Sequence, residues 1–196
     1  ELQADAPIVF GTNPNASGNQ IDHCVLRDTY LIAPLAGSVA CISAADGGAI
    51  SNFSTEGYNA WVGGAGGFKW VDSTGLVNTQ EFSFKNIRWE QSTVATAYLI
   101  DLESSAIGIN NVMLENIYGG TNTRGYKFRN CNRLSFKNVW YVDGSKEALN
   151  LDSSCSHITF DNFFAQGGST GTLTGLSQVF SGPADPSGNT LIPPFA

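Results

Sequence analysis

The chain of 196 residues is long enough for one domain with a continuous core. Its 42% hydrophobic and only 14% charged residues exclude an intrinsically disordered protein. The net charge of −7 argues against a nucleic-acid partner, and no apolar run approaches the roughly 20 residues that insertion into a membrane requires.

A short motif recurs along the chain: an apolar residue, any residue, Asn or Asp, and usually a second apolar residue. The Asn or Asp of each copy is Asp28, Asn52, Asn86, Asn116, Asn138 or Asn162. This recurrence in one register favours stacked coils over a β-sandwich with regularly spaced strands, which is the alternative. The predicted fold is all-β, a right-handed single-stranded parallel β-helix (solenoid) of about six to seven coils.

The motif has a physical reason in such a fold. Each coil turns sharply between strands, and Asn tolerates the left-handed backbone of a corner better than most residues with a side chain. The flanking apolar residues then point inward in two columns. The first column is Leu26, Ile50, Phe84, Leu114, Phe136 and Phe160, and the second is Phe53, Ile87, Ile117, Val139 and Phe163. Two wider spacings predict insertions at 58–67 and at 91–97 or 104–108.

A second strand with alternating apolar residues precedes most motif copies. Its predicted inward residues are Ile100, Leu102, Tyr126, Phe128, Leu149 and Leu151. The predicted organisation is an N-terminal lead-in or capping coil at 1–20, the β-helix at 21–167, and a C-terminal coil with a Pro- and Gly-rich cap at 168–196.

The four cysteines, Cys24, Cys41, Cys131 and Cys155, form no CxxC pair. A zinc site is therefore not expected, and neither a metal nor another cofactor is predicted. We expect free, mostly buried thiols. Cys131 and Cys155 occupy equivalent places on adjacent coils, where contact or even a disulfide is open to them. His23 and His157 precede the corners of coils too distant for the two to form a pair.

The outward positions carry the functional hypotheses. The residues just before the Asn, namely Lys85, Glu115, Lys137 and Asp161, alternate in charge and are interpreted as a structural ladder. The position two after the Asn is Tyr30, Ser54, Arg88, Tyr118, Trp140 or Phe164. Exposed aromatic stripes often mark contact surfaces. Subunit packing, glycan binding and burial under a loop are the three interpretations.

Tyr58 and Trp61 lie in the Gly-rich segment at 58–67, so they are candidate carbohydrate contacts, although Trp61 folded over a coil corner is an alternative. The carbohydrate-binding candidates are Tyr58, Trp61, Arg88, Tyr118, Trp140 and Phe164.

Three carboxylates on the outer side of the second strands are catalytic candidates. Glycosidic hydrolysis needs two carboxyl groups roughly 5–9 Å apart, and Asp101, Glu103 and Asp152 are predicted to lie close enough. Lys127 and Arg129 stand between them, so an ordinary ion-pair ladder explains the same residues.

The coils at 126–144 and 149–168 resemble those of bacteriophage tailspikes. The resemblance implies a homotrimer in the phage virion, or an extracellular location if the protein is not viral, that recognises bacterial surface polysaccharide. Many tailspikes also cleave that polysaccharide with Asp and Glu residues. The alternatives are a polysaccharide-degrading enzyme, either a glycoside hydrolase or a lyase, and a structural spike or adhesin segment.

Plant-wall enzymes fit the sequence less well. Polygalacturonase-like enzymes carry an Asn-x-Asp, a paired Asp and a Gly-His-Gly, and only the first has a counterpart here, at Asn150 and Asp152. No calcium cluster of the pectate-lyase kind is found in the sequence.

Overall fold

The computed structural model is an all-β solenoid of parallel strands. The structure describes residues 2–3, 8–10, 20–21, 23–33, 40, 42–44, 49–50, 52–63, 66–72, 81–90, 98–105, 108–120, 124–142, 148–152, 154–166 and 179–181. Within these ranges no helix occurs and every strand pairing is parallel. The predicted all-β parallel solenoid is confirmed.

The strands, in chain order, are β1 (Leu2–Gln3), β2 (Ile8–Phe10), β3 (Gln20–Ile21), β4 (Cys24–Arg27), β5 (Tyr30–Ala33), β6 (Ile42–Ala44), β7 (Ala49–Ile50), β8 (Asn52–Glu56), β9 (Asn59–Gly63), β10 (Phe68–Asp72), β11 (Glu81–Glu90), β12 (Tyr98–Ser104), β13 (Ile109–Gly120), β14 (Arg124–Arg129), β15 (Cys131–Val142), β16 (Leu149–Leu151), β17 (Ser156–Gln166) and β18 (Val179–Ser181).

The strands form two large sheets and one small one. In the first sheet the order is β1-β5-β9-β11-β13-β15-β17-β18, with β8 also beside β11 and β4 beside β8, and in the second it is β16-β14-β12-β10-β6-β2. Strands β3 and β7 form the small sheet. The chain therefore alternates between the large sheets, and β12–β13, β14–β15 and β16–β17 each form a coil.

The solenoid has about three turns, so the predicted six to seven coils is too high. The prediction assigned one coil to every copy of the motif. Strands β1, β2 and β18 extend the large sheets beyond the predicted β-helix range of 21–167.

A column of left-handed residues forms the predicted corner. Asp28, Asn86, Asn116, Asn138 and Asn162 all have φ between 50° and 62°. The Asn amides bond from coil to coil: Asn116 Nδ2 donates to Asn86 Oδ1 over 3.1 Å, Asn138 to Asn116 over 3.1 Å, and Asn162 to Asn138 over 2.9 Å. The corner interpretation is confirmed at these five positions.

Asn52 is not a corner residue, contrary to the prediction. It is paired with Glu81 at the start of β11, and the corner between Asp28 and Asn86 is occupied by Gly57, with φ of 66°. Gly reaches this backbone conformation without strain. Gly57 lies midway between Asp28 and Asn86, and the segment 59–63 is strand β9, so the predicted insertion is absent there. The strand register leaves one extra residue in the corner between Glu56 and Ala60.

The revised register changes both inward columns. Ile50 pairs with Ile21 in the small sheet, and Phe53 pairs with Cys24 and Phe82. Thr55 takes the place before the corner, where it is fully buried. Its hydroxyl accepts a hydrogen bond from Lys85 N over 2.6 Å and donates one to Lys85 O over 2.9 Å.

The remaining columns agree with the predictions. Buried residues in register include Phe84, Leu114, Phe136 and Phe160 before the corner, Ile87, Ile117, Val139 and Phe163 after it, and Ile100, Leu102, Tyr126, Phe128, Leu149 and Leu151 in the second sheet. Rings stack along the axis, as in Phe136 and Phe160 at 4.9 Å between centroids. This continuous core holds the outward side chains in fixed rows.

A second column of left-handed residues was not predicted. It runs through Asn111, Arg133 and His157 and includes His23, all with φ between 53° and 60°. His157 Nδ1 is 2.9 Å from Asn132 Oδ1 on the neighbouring coil. These histidines are therefore bend residues of the coil.

Candidate functional site

Two outward faces carry the predicted site residues. On the first sheet, the residues in register with Tyr30 form an outward row of Tyr30, Ala60, Arg88, Tyr118, Trp140 and Phe164, and we call it the aromatic stripe. Each lies two positions after its corner except Ala60, which lies three after Gly57. Ala60 holds the place predicted for Ser54, because Gly57 and not Asn52 forms the preceding corner. On the second sheet, the outward side of β12, β14 and β16 carries the carboxylates.

The exposed part of the stripe is aromatic and cationic. Tyr30, Tyr118 and Trp140 are 51%, 43% and 40% exposed. The guanidinium of Arg88 lies over the Tyr118 ring, with its carbon 5.8 Å from the ring centroid, which is cation–π geometry. The row therefore presents flat apolar rings beside a fixed positive charge.

An open depression of about 400 Å³ lies beside this row. It is lined by Tyr58, Asn86, Ile87, Arg88, Asn116 and Tyr118, and we call it the Arg88 depression. Tyr58 is 57% exposed, and its backbone N–H donates to Asp28 Oδ1 over 2.8 Å, which fixes the corner that carries it. Three of the predicted carbohydrate contacts, Tyr58, Arg88 and Tyr118, thus come together around one concavity.

Two other predicted contacts are not available on the surface. Trp61 is 0% exposed, pairs in register with Leu31 and Trp89, and donates its ring N–H to Thr29 Oγ1 over 3.3 Å. It is a core residue because 59–63 is a strand and not a loop. Phe164 is buried because the Trp140 ring packs on it at 4.8 Å between centroids. Trp140 alone is exposed at that end of the stripe.

The predicted ladder beside the corner is also present. Lys85 Nζ lies 3.8 Å and Lys137 Nζ 3.0 Å from the Glu115 carboxylate. Hydrogen bonding to Lys137 holds the pKa of Glu115 below its ordinary value. The structural interpretation of these charges is supported.

The three predicted catalytic carboxylates lie on one face, separated by cations. Lys127 contacts both Glu103 and Asp101, the latter over 3.9 Å. Arg129 Nε lies 2.8 Å from Glu103, and its Nη1 lies 4.0 Å from Asp152. Asp152 also accepts hydrogen bonds from the hydroxyl and N–H of Ser154. These contacts form the ion-pair ladder that was the alternative interpretation of the same residues.

Glu103 and Asp152 also line a polar groove of about 460 Å³. It lies where strands of the second sheet end, and we call it the strand-end groove. Its lining is Val71, Asp72, Glu103, Ser104, Ser105, Arg129, Asn130, Asp152 and Ser154. Asp101 lies two residues before Glu103 on β12 and does not line this groove.

Asp101 differs from the other two carboxylates in its burial. It is 9% exposed, and this burial raises its pKa to about 7 despite the opposing charge of Lys127. The neighbouring carboxylate of Glu103 raises the pKa further by repulsion and by accepting a hydrogen bond from the protonated form of Asp101. The pair therefore holds one acidic proton near neutral pH.

Tyr98 covers this part of the face, and sequence reasoning missed it. Its hydroxyl accepts hydrogen bonds from Arg124 over 3.0 Å and Asn150 over 3.4 Å, and Lys127 Nζ lies 5.6 Å from the ring centroid. The ring thus connects three successive coils. Leu99, which follows Tyr98 on β12, packs in the core.

Comparison with known proteins adds no assignment: no family model, no curated protein and no solved structure matches the chain. The tailspike resemblance therefore depends on the coil pattern alone. Among the described residues, no group of three or more His, Cys, Asp or Glu side chains is arranged to hold a metal ion. That same part of the chain has no helix long and apolar enough to cross a membrane.

Proposed function

We propose that this chain is a phage tail spike or fibre module that recognises a polysaccharide on the surface of the host bacterium. The observation that carries the proposal is the Arg88 depression, where Tyr58, Arg88 and Tyr118 converge on a rigid solenoid face. Its location is then the virion, or the extracellular space if the protein is not viral.

The chemistry of the depression suits a sugar ring. Aromatic side chains offer flat apolar faces, which match the C–H faces of pyranose rings. Arg88 adds guanidinium donors, and Asn86 and Asn116 add amide groups that can bond hydroxyls. The corner amide bonds hold Asn86 and Asn116 in place before any ligand arrives, which lowers the entropic cost of binding.

The test is a glycan-array screen followed by titration of any host polysaccharide that binds. Tyr118→Ala is expected to weaken binding about tenfold or more, because it removes one wall of the depression and the partner of Arg88. Tyr30→Ala is the matched control, since Tyr30 is equally exposed in the same row but does not line the depression. Equal losses in both variants, or binding to no host glycan, would refute the proposal.

We also propose that the solenoid is right-handed and that the functional form is a homotrimer. Right-handed crossovers predominate between parallel strands. The exposed ring of Trp140 lies in the same row outside the Arg88 depression, and an exposed apolar ring is the kind of surface that subunits cover. Failure to bind any glycan, together with a stable trimer, would favour the structural spike as the function.

A second candidate is cleavage of the same polysaccharide, and the observation that favours it is the proton held by Asp101. A carboxyl group that is still protonated near pH 7 is suited to act as a general acid, with a nearby carboxylate as base or nucleophile. Glu103 and Asp152 are the available carboxylates, although both are paired with Arg129.

Release of reducing ends, or of an unsaturated product, from a bound polysaccharide would demonstrate this activity. Asp101→Asn should then abolish release while binding in the Arg88 depression is unchanged. If the polysaccharide stays intact after prolonged incubation with the wild-type protein, the function is recognition without cleavage. Loss of binding in Asp101→Asn would instead place the sugar on the second sheet.

A further inference from the structure

Two cysteine side chains meet inside the solenoid on neighbouring coils. Cys131 begins β15, and Cys155 immediately precedes β17, whose Ser156 pairs in register with Asn132. Both thiols are buried and free, and each lies within hydrogen-bonding reach of the other. Neighbouring strands are about 4.8 Å apart, which falls within the Cα separation that a disulfide spans.

The surroundings of the two sulfurs are different. Cys155 Sγ lies 3.3 Å from Phe128 O and 3.6 Å from Asp152 Oδ1, and Asp152 lines the strand-end groove. Cys131 Sγ lies 3.5 Å from Arg129 O and is fully buried. Both thiols therefore lie beside residues that line the strand-end groove, Cys155 next to Asp152 and Cys131 next to Arg129.

The pKa values of the two thiols are shifted in opposite directions. The Cys131 thiol donates a hydrogen bond that stabilises the Cys155 thiolate and lowers the pKa of Cys155. Burial raises the pKa of Cys131 well above its ordinary value. Since the thiolate is the nucleophile, this direction of the pKa shifts favours Cys155 as the thiol that reacts first with an oxidant.

We propose that Cys131 and Cys155 are a peroxide-sensitive thiol pair, in which Cys155 is oxidised first and Cys131 then closes a disulfide between adjacent coils. The Cys155 thiolate attacks one oxygen of hydrogen peroxide, the O–O bond breaks, and water leaves after taking up a proton. The Cys131 sulfur then attacks the sulfenic sulfur of Cys155, its proton leaves, and a second water is released. Two thiols are oxidised and one peroxide is reduced to two waters.

The first test treats the folded 196-residue chain with hydrogen peroxide and maps the peptides by mass spectrometry. The expected product is a peptide pair joined through Cys131 and Cys155, with the two-hydrogen mass loss of a disulfide. Cys24→Ala is the matched control and should give the same product. The link closes a loop of about 25 residues, so the melting temperature should rise by roughly 5–10 °C and return when dithiothreitol is added.

The second test checks the order of oxidation with single variants and dimedone, which traps sulfenic acid. In Cys131→Ser the hydroxyl can still donate a hydrogen bond to the Cys155 sulfur but cannot form a disulfide, so the dimedone adduct should accumulate on Cys155. In Cys155→Ala, Cys131 should remain a thiol under the same treatment. Peroxide that oxidises Cys24 while leaving Cys131 and Cys155 reduced would overturn the proposal. A dimedone adduct on Cys131 but not on Cys155 would overturn the assigned order.

Discussion

Single buried polar residues show how closely this fold constrains its side chains. Thr55 occupies a place that Leu or Phe fills on other coils, and its one hydroxyl bonds both the N–H and the C=O of Lys85. Asn59, two residues after Gly57, is also fully buried: its Oδ1 accepts from Thr29 N over 3.1 Å and its Nδ2 donates to Glu56 O over 3.1 Å. Both side chains lie within two residues of the corner at Gly57, where no side-chain amide is present to join the column.

Replacing Thr55 by Val should therefore destabilise the fold. The substitution preserves shape but leaves the N–H and C=O of Lys85 without their partner in a buried setting, and each unsatisfied group costs about 1–3 kcal/mol. We expect the free energy of unfolding, measured in urea, to fall by about 2 kcal/mol or more. Thr55→Ser keeps the hydroxyl and should recover most of the loss. An equal loss in both variants would mean that the methyl group matters and the hydrogen bonds do not.

Asp101 should make stability depend on pH. The folded chain holds its proton up to about pH 7, whereas an unfolded Asp loses it near pH 4. Between these values the folded state binds the extra proton, so stability falls as pH rises, with a limiting slope of roughly 1.4 kcal/mol per pH unit. The charged groups that face Asp101 are Glu103, Lys127 and Lys69.

The measurement is urea unfolding of the wild-type protein and Asp101→Asn between pH 4.5 and 8. Asp101→Asn should lose this component, so its stability relative to wild type should increase with pH across the window. Glu103→Gln is the comparison variant, because it removes the neighbouring negative charge that raises the pKa of Asp101. In this variant, stability should stop falling at a lower pH than in the wild type. A constant difference between Asp101→Asn and wild type at every pH would show that Asp101 is ionised throughout.

The corner is the element that sequence reasoning described best. Asn86, Asn116, Asn138 and Asn162 could be predicted because a left-handed backbone and an amide that bonds in both directions together select Asn. Gly57 could not, because Gly satisfies the backbone requirement without the motif, and Asn52 carried the motif at the wrong place. The misplacement of one corner then moved Ile50, Phe53 and Ser54 out of register and placed Trp61 in a loop that is strand β9.

The functional rows depended on the same register. Arg88, Tyr118 and Trp140 follow true corners and were placed correctly on the outside. The burial of Phe164 under Trp140 is a side-chain contact between coils that alternation along one strand cannot reveal. Tyr58 was predicted as a loop residue, yet it reaches the Arg88 depression from a corner, which only the three-dimensional stacking shows.

Substitutions at Asn138 should separate the two contributions of a corner. Asn138→Gly keeps the left-handed backbone but removes the amide bonds to Asn116 and Asn162, whereas Asn138→Ala removes the bonds and also strains the backbone. Left-handed backbone costs a residue with Cβ roughly 1–2 kcal/mol. Asn138→Ala should therefore unfold in urea with about 1 kcal/mol less stability than Asn138→Gly. The reverse order would mean that the corner relaxes when the amide is lost.

At the scale of the whole molecule, the exposed aromatic row raises the question of what covers it. The rings of Tyr118 and Trp140 remain about two-fifths exposed although the coil beneath them is fully packed. If the homotrimer forms, sedimentation at micromolar concentration should give about three times 20.8 kDa. Trp140→Ser should shift the chain towards monomer, because Trp140 presents the largest apolar ring of the row.

Tyr58→Ser is the matched control for this experiment, since Tyr58 is exposed on the neighbouring corner but lies outside the row. A monomeric wild-type protein at micromolar concentration would remove subunit packing as the reason for the exposed rings and leave ligand binding to explain them. A trimer that Trp140→Ser does not weaken would place the subunit interface on another face. In that case Tyr118 and Trp140 stay open to solvent in the assembled spike, continuous with the Arg88 depression, and a polysaccharide chain could extend along the row.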